Sequence, residues 1–140
     1  MTIPKLPFTP RILLVDDEAQ QLQLRASVME SCGFSVVTAN GPIAAISEIE
    51  AETIKKTDVA VLDYNMPVMN GSVLAARLRA ICPRLKIVLH SGAIDIPQSD
   101  LMNVDAYIPK CDGIERLIAK VVQFSSKSTE IAFPLMSKVA

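Results

Sequence analysis

Short apolar runs alternate with helical segments along this chain, and the alternation limits the folds it can adopt. Each run is too short for a helix of its own and is rich in aliphatic residues, which is typical of buried strands. The predicted strands are Arg11–Val15, Phe34–Thr38, Val59–Leu62, Lys86–His90 and Ala106–Lys110. Strands that alternate with helices form a parallel sheet with helices on both faces. We therefore predict a three-layer α/β sandwich around a parallel five-stranded sheet.

The segments between these strands show the apolar periodicity of helices. Apolar stripes are predicted within 19–32 and 71–81, formed by Leu24, Val28, Met29 and Cys32 in the first and by Leu74, Leu78 and Ile81 in the second. Pro42 suits the first turn of another helix. The pattern from Ala93 to Asp105 is poor and contains Pro97, so it allows at most a short fourth helix. The clearest helix of the chain begins near Ile114.

The ends of the chain differ from this pattern and divide it into three parts. Residues 1–10 are predicted to be an extended, proline-rich arm, 11–125 a single domain, and 126–140 a Ser/Thr/Lys-rich tail that we expect to be flexible. An apolar island at Ile131–Met136 could instead dock on the sheet edge or on a partner. Because the tail is too short to bury a core, no output domain is expected to follow.

Charge and composition exclude several function classes. Lys and Arg number 14 against 15 Asp and Glu, so no basic field attracts nucleic acid or acidic lipid. No apolar stretch approaches the roughly 20 residues of a membrane span, and the proline-rich first ten residues are not expected to act as a signal peptide, because they lack a continuous apolar region. The three cysteines are widely spaced and form no metal or redox motif, which favours a reducing cytoplasm.

Polar side chains lie at the carboxyl ends of four of the predicted strands. They are Asp16 and Asp17, Asp63, Ser91 and Lys110. The ends of parallel strands lie on one sheet edge, and in the flavodoxin-like order 2-1-3-4-5 a crevice opens between strands one and three. Three carboxylates would repel one another there unless a cation lay among them, and hard oxygen ligands suit Mg²⁺. Lys110 and Ser91 offer the charge and the hydrogen bond that a phosphoryl group needs.

A family resemblance joins these residues into one pattern. Asp16–Asp17, Asp63-x-x-Met66-Pro67-x-Met69-x-Gly71, Ser91 and Tyr107-x-x-Lys110 resemble the receiver domain of response regulators in two-component signalling, the CheY-like superfamily. The resemblance covers about 11–124. It implies that Asp63 is the phosphoacceptor, phosphorylated by a histidine kinase or a histidine phosphotransfer domain in a phosphorelay, and that the chain is not an enzyme with a separate substrate.

The resemblance also implies roles for the neighbouring residues. Asp17, Asp63 and the backbone carbonyl of Asn65 would bind Mg²⁺, and Asp16 would act through water. Lys110 would pair with Asp63 and with the phosphoryl group, and Ser91 would donate a hydrogen bond to a phosphoryl oxygen. Ser91 would also move together with a switch aromatic, and the residue at that place in this chain is Tyr107.

Some residues depart from the family pattern or have simpler interpretations. Pro109 precedes Lys110, whereas the family has proline after the lysine, so a cis peptide there is in doubt. Ala93 offers no side chain to position an attacking water. Asp16 and Asp17 could simply cap a helix, and Tyr107 could be an ordinary packed aromatic. His90 should point away from Ser91 and be a packed or surface residue.

Two other function classes remain as alternatives. A small Mg²⁺-dependent phosphatase could use an aspartyl-phosphate intermediate, although Asp63-Tyr64-Asn65 lacks the second Asp of the haloacid dehalogenase type. A binding module independent of phosphorylation is the other. The expected partners of a receiver are its kinase and a downstream protein that the sequence cannot name, without direct binding of nucleic acid or insertion into a membrane. A second copy of the chain, in a homodimer, is a further candidate partner.

Overall fold

The fold is a parallel five-stranded sheet between two layers of helices. It is taken from a computed structural model that describes residues 8–51 and 57–125. The strands lie in the order β2-β1-β3-β4-β5. Their bounds are β1 Arg11–Val15, β2 Ser35–Ala39, β3 Val59–Leu62, β4 Lys86–Ser91 and β5 Ala106–Pro109. The predicted fold class and strand order are confirmed, although β2 lies one residue later, β4 is one residue longer and β5 is one residue shorter than predicted.

Helices connect the strands, as the pattern predicted. Their bounds are α1 Ala19–Ser31, α2 Pro42–Glu50, α3 Gly71–Ile81, α4 Gln98–Leu101 and α5 Ile114–Ser125. The fourth helix is a single turn, as the poor pattern before β5 predicted. No helix within the described ranges is long and apolar enough to cross a membrane. The arm up to residue 7 and the tail from 126, with its apolar island, lie outside the described residues.

Strand alternation divides the buried side chains into two cores, one on each face of the sheet. Leu13, Leu62 and Leu89 face one side, where they pack with α2 and α3. Ile12 and Leu14 face the other side, where they pack with α1 and α5. We call this second region the α1/α5 layer. The sheet is therefore covered on both faces, as its nearly continuous apolar strands require.

Two residues assigned to inward stripes are exposed. Leu24 is 65% exposed, because α1 turns Leu22, Ala26 and Met29 toward the sheet at i, i+4 and i+7. The assignment of Leu24 was therefore wrong, whereas Val28, Met29 and Cys32 of the same predicted stripe do pack against the core. Ile81 is 46% exposed, since it is the last residue of α3 before the chain turns away at Cys82.

The chain after β5 takes an unpredicted course. Lys110 begins a 3-10 turn, Lys110–Asp112, and Gly113 then adopts a left-handed backbone with φ of 88° before α5 starts. The peptide bond after Lys110 is trans. The lysine therefore reaches the sheet edge without the cis bond that the family pattern would have suggested.

Candidate phosphoacceptor site

The sheet edge gathers the polar residues that the sequence placed at strand ends. Asp16 directly follows β1, Asp63 follows β3, and Ser91 ends β4. Val15 and Leu62 are paired in register, so the two aspartates that come next leave adjacent strands side by side. Lys110 follows β5, whose Pro109 pairs with Ser91. Residues up to 94 positions apart thus meet in one place.

Three carboxylates form a cluster at this edge. One oxygen from each of Asp16, Asp17 and Asp63 lies within 4.8 Å of the others. Ligands of one octahedral Mg²⁺ with bonds near 2.1 Å are about 3.0 Å apart when adjacent and about 4.2 Å apart when opposite, so these oxygens would have to draw closer together to surround one ion. Their hard oxygen chemistry fits that metal.

Asp63 lies in a buried but accessible position. Only 7% of the residue is exposed, and its Oδ1 accepts a hydrogen bond of 2.9 Å from the Tyr64 N–H. Its Oδ2 lies 3.7 Å from the Lys110 ammonium. Burial raises the pKa of Asp63, and the charge of Lys110 and the Ser91 hydroxyl offset this only in part. One carboxylate oxygen thus has a fixed donor and the other faces a cation.

Asp16 is more enclosed than Asp63 and is surrounded by donors. It is fully buried; Oδ1 accepts from the Glu18 N–H at 3.0 Å, and Oδ2 accepts from the Arg25 guanidinium and from Lys110 at 3.3 Å. Burial alone would raise the pKa of Asp16, but these hydrogen bonds and charges outweigh it and lower the pKa. Neither Asp16 nor Asp17 is the N-cap of α1, since Glu18 takes that position.

A cleft of about 460 Å³ opens above these carboxylates. Its lining includes Asp17, Asp63, Asn65, Ser91 and Lys110. Asn65 is exposed, and Asp17 is more open than the other two aspartates. The cleft has room for a metal ion with its waters and a phosphoryl group.

A short hydrogen-bonded path leads from Ser91 to Tyr107. The Ser91 hydroxyl oxygen accepts from the Ala93 N–H at 3.1 Å, and the Ala93 carbonyl accepts from the Tyr107 hydroxyl at 3.0 Å. Burial is the main cause that raises the pKa of Tyr107. Ala93 has no functional side chain, yet its backbone joins the two residues. Tyr107 also packs against the core on the α2/α3 side.

His90 lies on the opposite face of β4, as strand alternation predicts. Its side chain lies on the same face of β4 as Val88, toward the α1/α5 layer, and His90 is 5% exposed. Neither imidazole nitrogen has a hydrogen-bond partner among the described residues. Burial, together with the charges of Arg25 and Lys110, lowers the pKa of His90 to about 4. His90 is therefore a neutral, packed histidine.

Replacing His90 is expected to change how stability depends on pH. The folded pKa, about 4, lies below the ordinary value of 6.5. Between these values the unfolded chain binds a proton that the folded chain does not, so the free energy of unfolding falls as pH decreases, by at most about 1.4 kcal/mol per pH unit. His90→Leu removes this dependence. Urea unfolding at pH 7.5 and pH 5 measures both proteins, and the free energy of unfolding should fall less for the variant than for the wild type between these two pH values. Equal decreases for the two proteins would contradict a His90 that is neutral in the folded chain.

Two features of the site escaped the sequence analysis. Arg25 lies on the inward side of α1 and pairs with Asp16. An inward stripe of Leu22, Ala26 and Met29 would have placed Arg25 on that side, but this stripe was not the one predicted. The Tyr64 hydroxyl donates a 2.5 Å hydrogen bond to Asp100 at α4. No signal in the sequence links residues 36 positions apart in this way.

The sequence is similar to a known family of domains and to several curated proteins. The model of the response regulator receiver domain matches residues 12–121. A protein-glutamate methylesterase/protein-glutamine glutaminase of Paramagnetospirillum magneticum is 35% identical over 125 residues, which cover 84% of this chain and 32% of that protein. The chain spans between 11% and 48% of the length of the curated relatives it matches.

Solved structures agree in fold. The response regulator TrrA of Thermotoga maritima, crystallised with Mg²⁺ and BeF, has a TM-score of 0.74 at 25% identity, covering 83% of this chain and 99% of TrrA. TrrA in complex with the histidine kinase ThkA gives a TM-score of 0.75 at 25% identity, covering 84% and 100%.

Proposed function

The chain belongs to the response regulator receiver domain family, and on that premise we propose that Asp63 is its phosphoacceptor. The phosphoryl donor would be the phosphohistidine of a histidine kinase or a histidine phosphotransfer domain. The observation that carries this proposal is the Asp63 carboxylate, which is buried at the sheet edge beside two further carboxylates and 3.7 Å from Lys110.

The reaction transfers a phosphoryl group from nitrogen to oxygen. A carboxylate oxygen of Asp63 attacks phosphorus, the P–N bond breaks, and the imidazole departs with the bonding electrons. The Tyr64 N–H fixes the orientation of the nucleophile. The Lys110 ammonium faces the incoming negative charge, and the Ser91 hydroxyl lies in the same cleft, where it can donate to a phosphoryl oxygen.

A divalent cation completes this site in the proposal. Asp17, Asp63 and the Asn65 carbonyl would hold Mg²⁺, with Asp16 acting through water, since both Asp16 oxygens already accept hydrogen bonds. When bound, the ion neutralises charge between the anionic carboxylate and the anionic phosphoryl group.

The proposed output is a change of surface near Tyr107. If Ser91 turns toward a phosphoryl group, its contact with the Ala93 N–H changes, and Ala93 also holds the Tyr107 hydroxyl. A local charge event would thereby alter a half-buried ring. We assign the chain no separate substrate, and its effect would pass to a downstream protein.

The partners and location proposed follow from this role. TrrA, which shares this fold, is seen in complex with a histidine kinase, and this supports a kinase as the partner here. The methylesterase named among the relatives shares only 32% of its length with the chain, so its activity is not carried over. The three cysteines are free, which suits the reducing cytoplasm.

Removing the cation tests the proposal. Acetyl phosphate with Mg²⁺ is expected to label the protein, and excess EDTA should reduce the label to background, because the single charge of Lys110 does not offset the anionic repulsion from three carboxylates. The label should be released by hydroxylamine, which cleaves acyl phosphates, and should return when Mg²⁺ is restored. Equal labelling in EDTA would count against a metal-assisted aspartyl phosphate.

A further inference from the structure

Arg25 is a buried cation in a layer built from aliphatic side chains. It is 9% exposed and projects from α1 into the α1/α5 layer, whose buried members include Leu22, Met29 and Leu117. A guanidinium at such a position costs free energy unless it is paired and hydrogen bonded. The residue that pairs with Arg25 therefore indicates the role of this arginine.

That partner is Asp16, a member of the carboxylate cluster. The Arg25 Nη2 donates to Asp16 Oδ2, and both side chains are almost entirely enclosed, with 10% and 0% exposure. The Arg25 Nε has no partner among the described residues, so the guanidinium is held mainly through this contact. Arg25 binds Asp16 from the α1/α5 side of the sheet, while the cleft opens above the cluster.

The charges at the site follow from this arrangement. Asp16, Asp17 and Asp63 contribute three negative charges when ionised, and Lys110 lies within 4 Å of two of them. With Lys110 alone the cluster would carry two net negative charges, and with Arg25 it carries one. A divalent cation is therefore attracted less strongly than by the carboxylates and Lys110 alone.

We propose that Arg25 is a positioning residue and permanent counter-ion of the phosphoacceptor site. It holds Asp16 in place when no divalent cation is bound, and it lowers the affinity of the site for Mg²⁺. The inference rests on the proposed function, because it takes the three carboxylates as the metal site. It adds a residue of this chain that sets how much Mg²⁺ the site needs.

Substitution of Arg25 separates charge from geometry. Arg25→Gln is expected to bind Mg²⁺ about tenfold more tightly than the wild type, because one nearby positive charge is removed. Arg25→Lys keeps the charge and should bind Mg²⁺ with nearly the wild-type constant. Arg77→Gln, at an exposed arginine of α3, is the matched control and should change nothing. Isothermal titration calorimetry with MgCl₂ on the whole chain gives each constant.

Thermal unfolding adds a second readout. Without Mg²⁺, Arg25→Gln should have a lower Tm than the wild type, since Asp16 loses a buried partner; saturating Mg²⁺ should recover most of this loss. If Arg25→Gln does not fold, Arg25→Met, which suits the apolar layer, carries the same affinity test.

The outcomes distinguish this inference from the function it rests on. Wild type that binds Mg²⁺ with the same constant as Arg25→Gln or Arg25→Met, or more tightly than they do, overturns the counter-ion role and leaves the proposed function standing. A lower Tm without any change in affinity likewise shows a purely structural arginine. Wild type that binds no Mg²⁺ overturns the metal site itself.

Discussion

Asp63→Asn is expected to abolish labelling by acetyl phosphate or by a phosphorylated histidine kinase. The amide has the shape of the carboxylate but is not a nucleophile toward phosphorus. The fold should survive, because Asp63 is buried and burial opposes its charge. Removing that charge should leave the free energy of unfolding within about 1 kcal/mol of the wild type, or raise it. Labelling and urea unfolding of the same preparation measure both effects.

Asp58→Asn is the matched control for this variant. Asp58 precedes the same strand at its opposite end, where its side chain accepts a 2.9 Å hydrogen bond from the Arg11 N–H. It lies away from the cleft and should be labelled like the wild type. Undiminished, hydroxylamine-sensitive label on Asp63→Asn would show that another carboxylate is the acceptor.

Gly71→Ala is expected to have the largest effect on stability. Gly71 begins α3, and its N–H donates a 2.8 Å hydrogen bond to the Tyr64 carbonyl. A Cβ at this position would overlap the backbone oxygen of Asp63 and lie 2.8 Å from Leu89 Cδ1. Because a backbone atom cannot rotate away, the strand end must shift, at a cost of about 3 kcal/mol. The same shift would displace Asp63 and slow its labelling.

Gly92→Ala controls for the loss of a glycine near the site. A Cβ there meets nothing within 4 Å, so this variant should unfold at nearly the wild-type urea concentration. Chemical denaturation of both variants gives the comparison. Equal midpoints for Gly71→Ala and wild type would mean that the loop after β3 does not approach α3 as closely as described.

The sequence predicted the fold and the sheet edge because both depend on local patterns. Apolar runs of strand length and their alternation with helices fix a parallel sheet, and a parallel sheet brings Asp16, Asp63, Ser91 and Lys110 to one edge whatever the details of packing. The short α4 could also be predicted, since Pro97 and scattered polar residues leave no inward stripe.

The buried face of α1 and the ion pairs at the site could not be predicted, because they depend on the rotation of the helix and on contacts between distant residues. Several stripes on α1 fit the apolar pattern, and tertiary packing chose the one that exposes Leu24 and buries Arg25. Lys110 was expected to pair with Asp63, yet it lies closer to Asp16, at 3.3 Å against 3.7 Å. The position of Lys110 depends on the turn after β5, which periodicity does not specify.

The position of the phosphoryl group on the chain tests most directly whether Asp63 is the phosphoacceptor. Protein labelled with acetyl phosphate and Mg²⁺ can be reduced with borohydride, which converts an aspartyl phosphate to homoserine, and then digested for mass spectrometry. Homoserine is expected at position 63 and at no other aspartate. Homoserine at position 16 or 17, or a phosphoryl group recovered on His90, would contradict it.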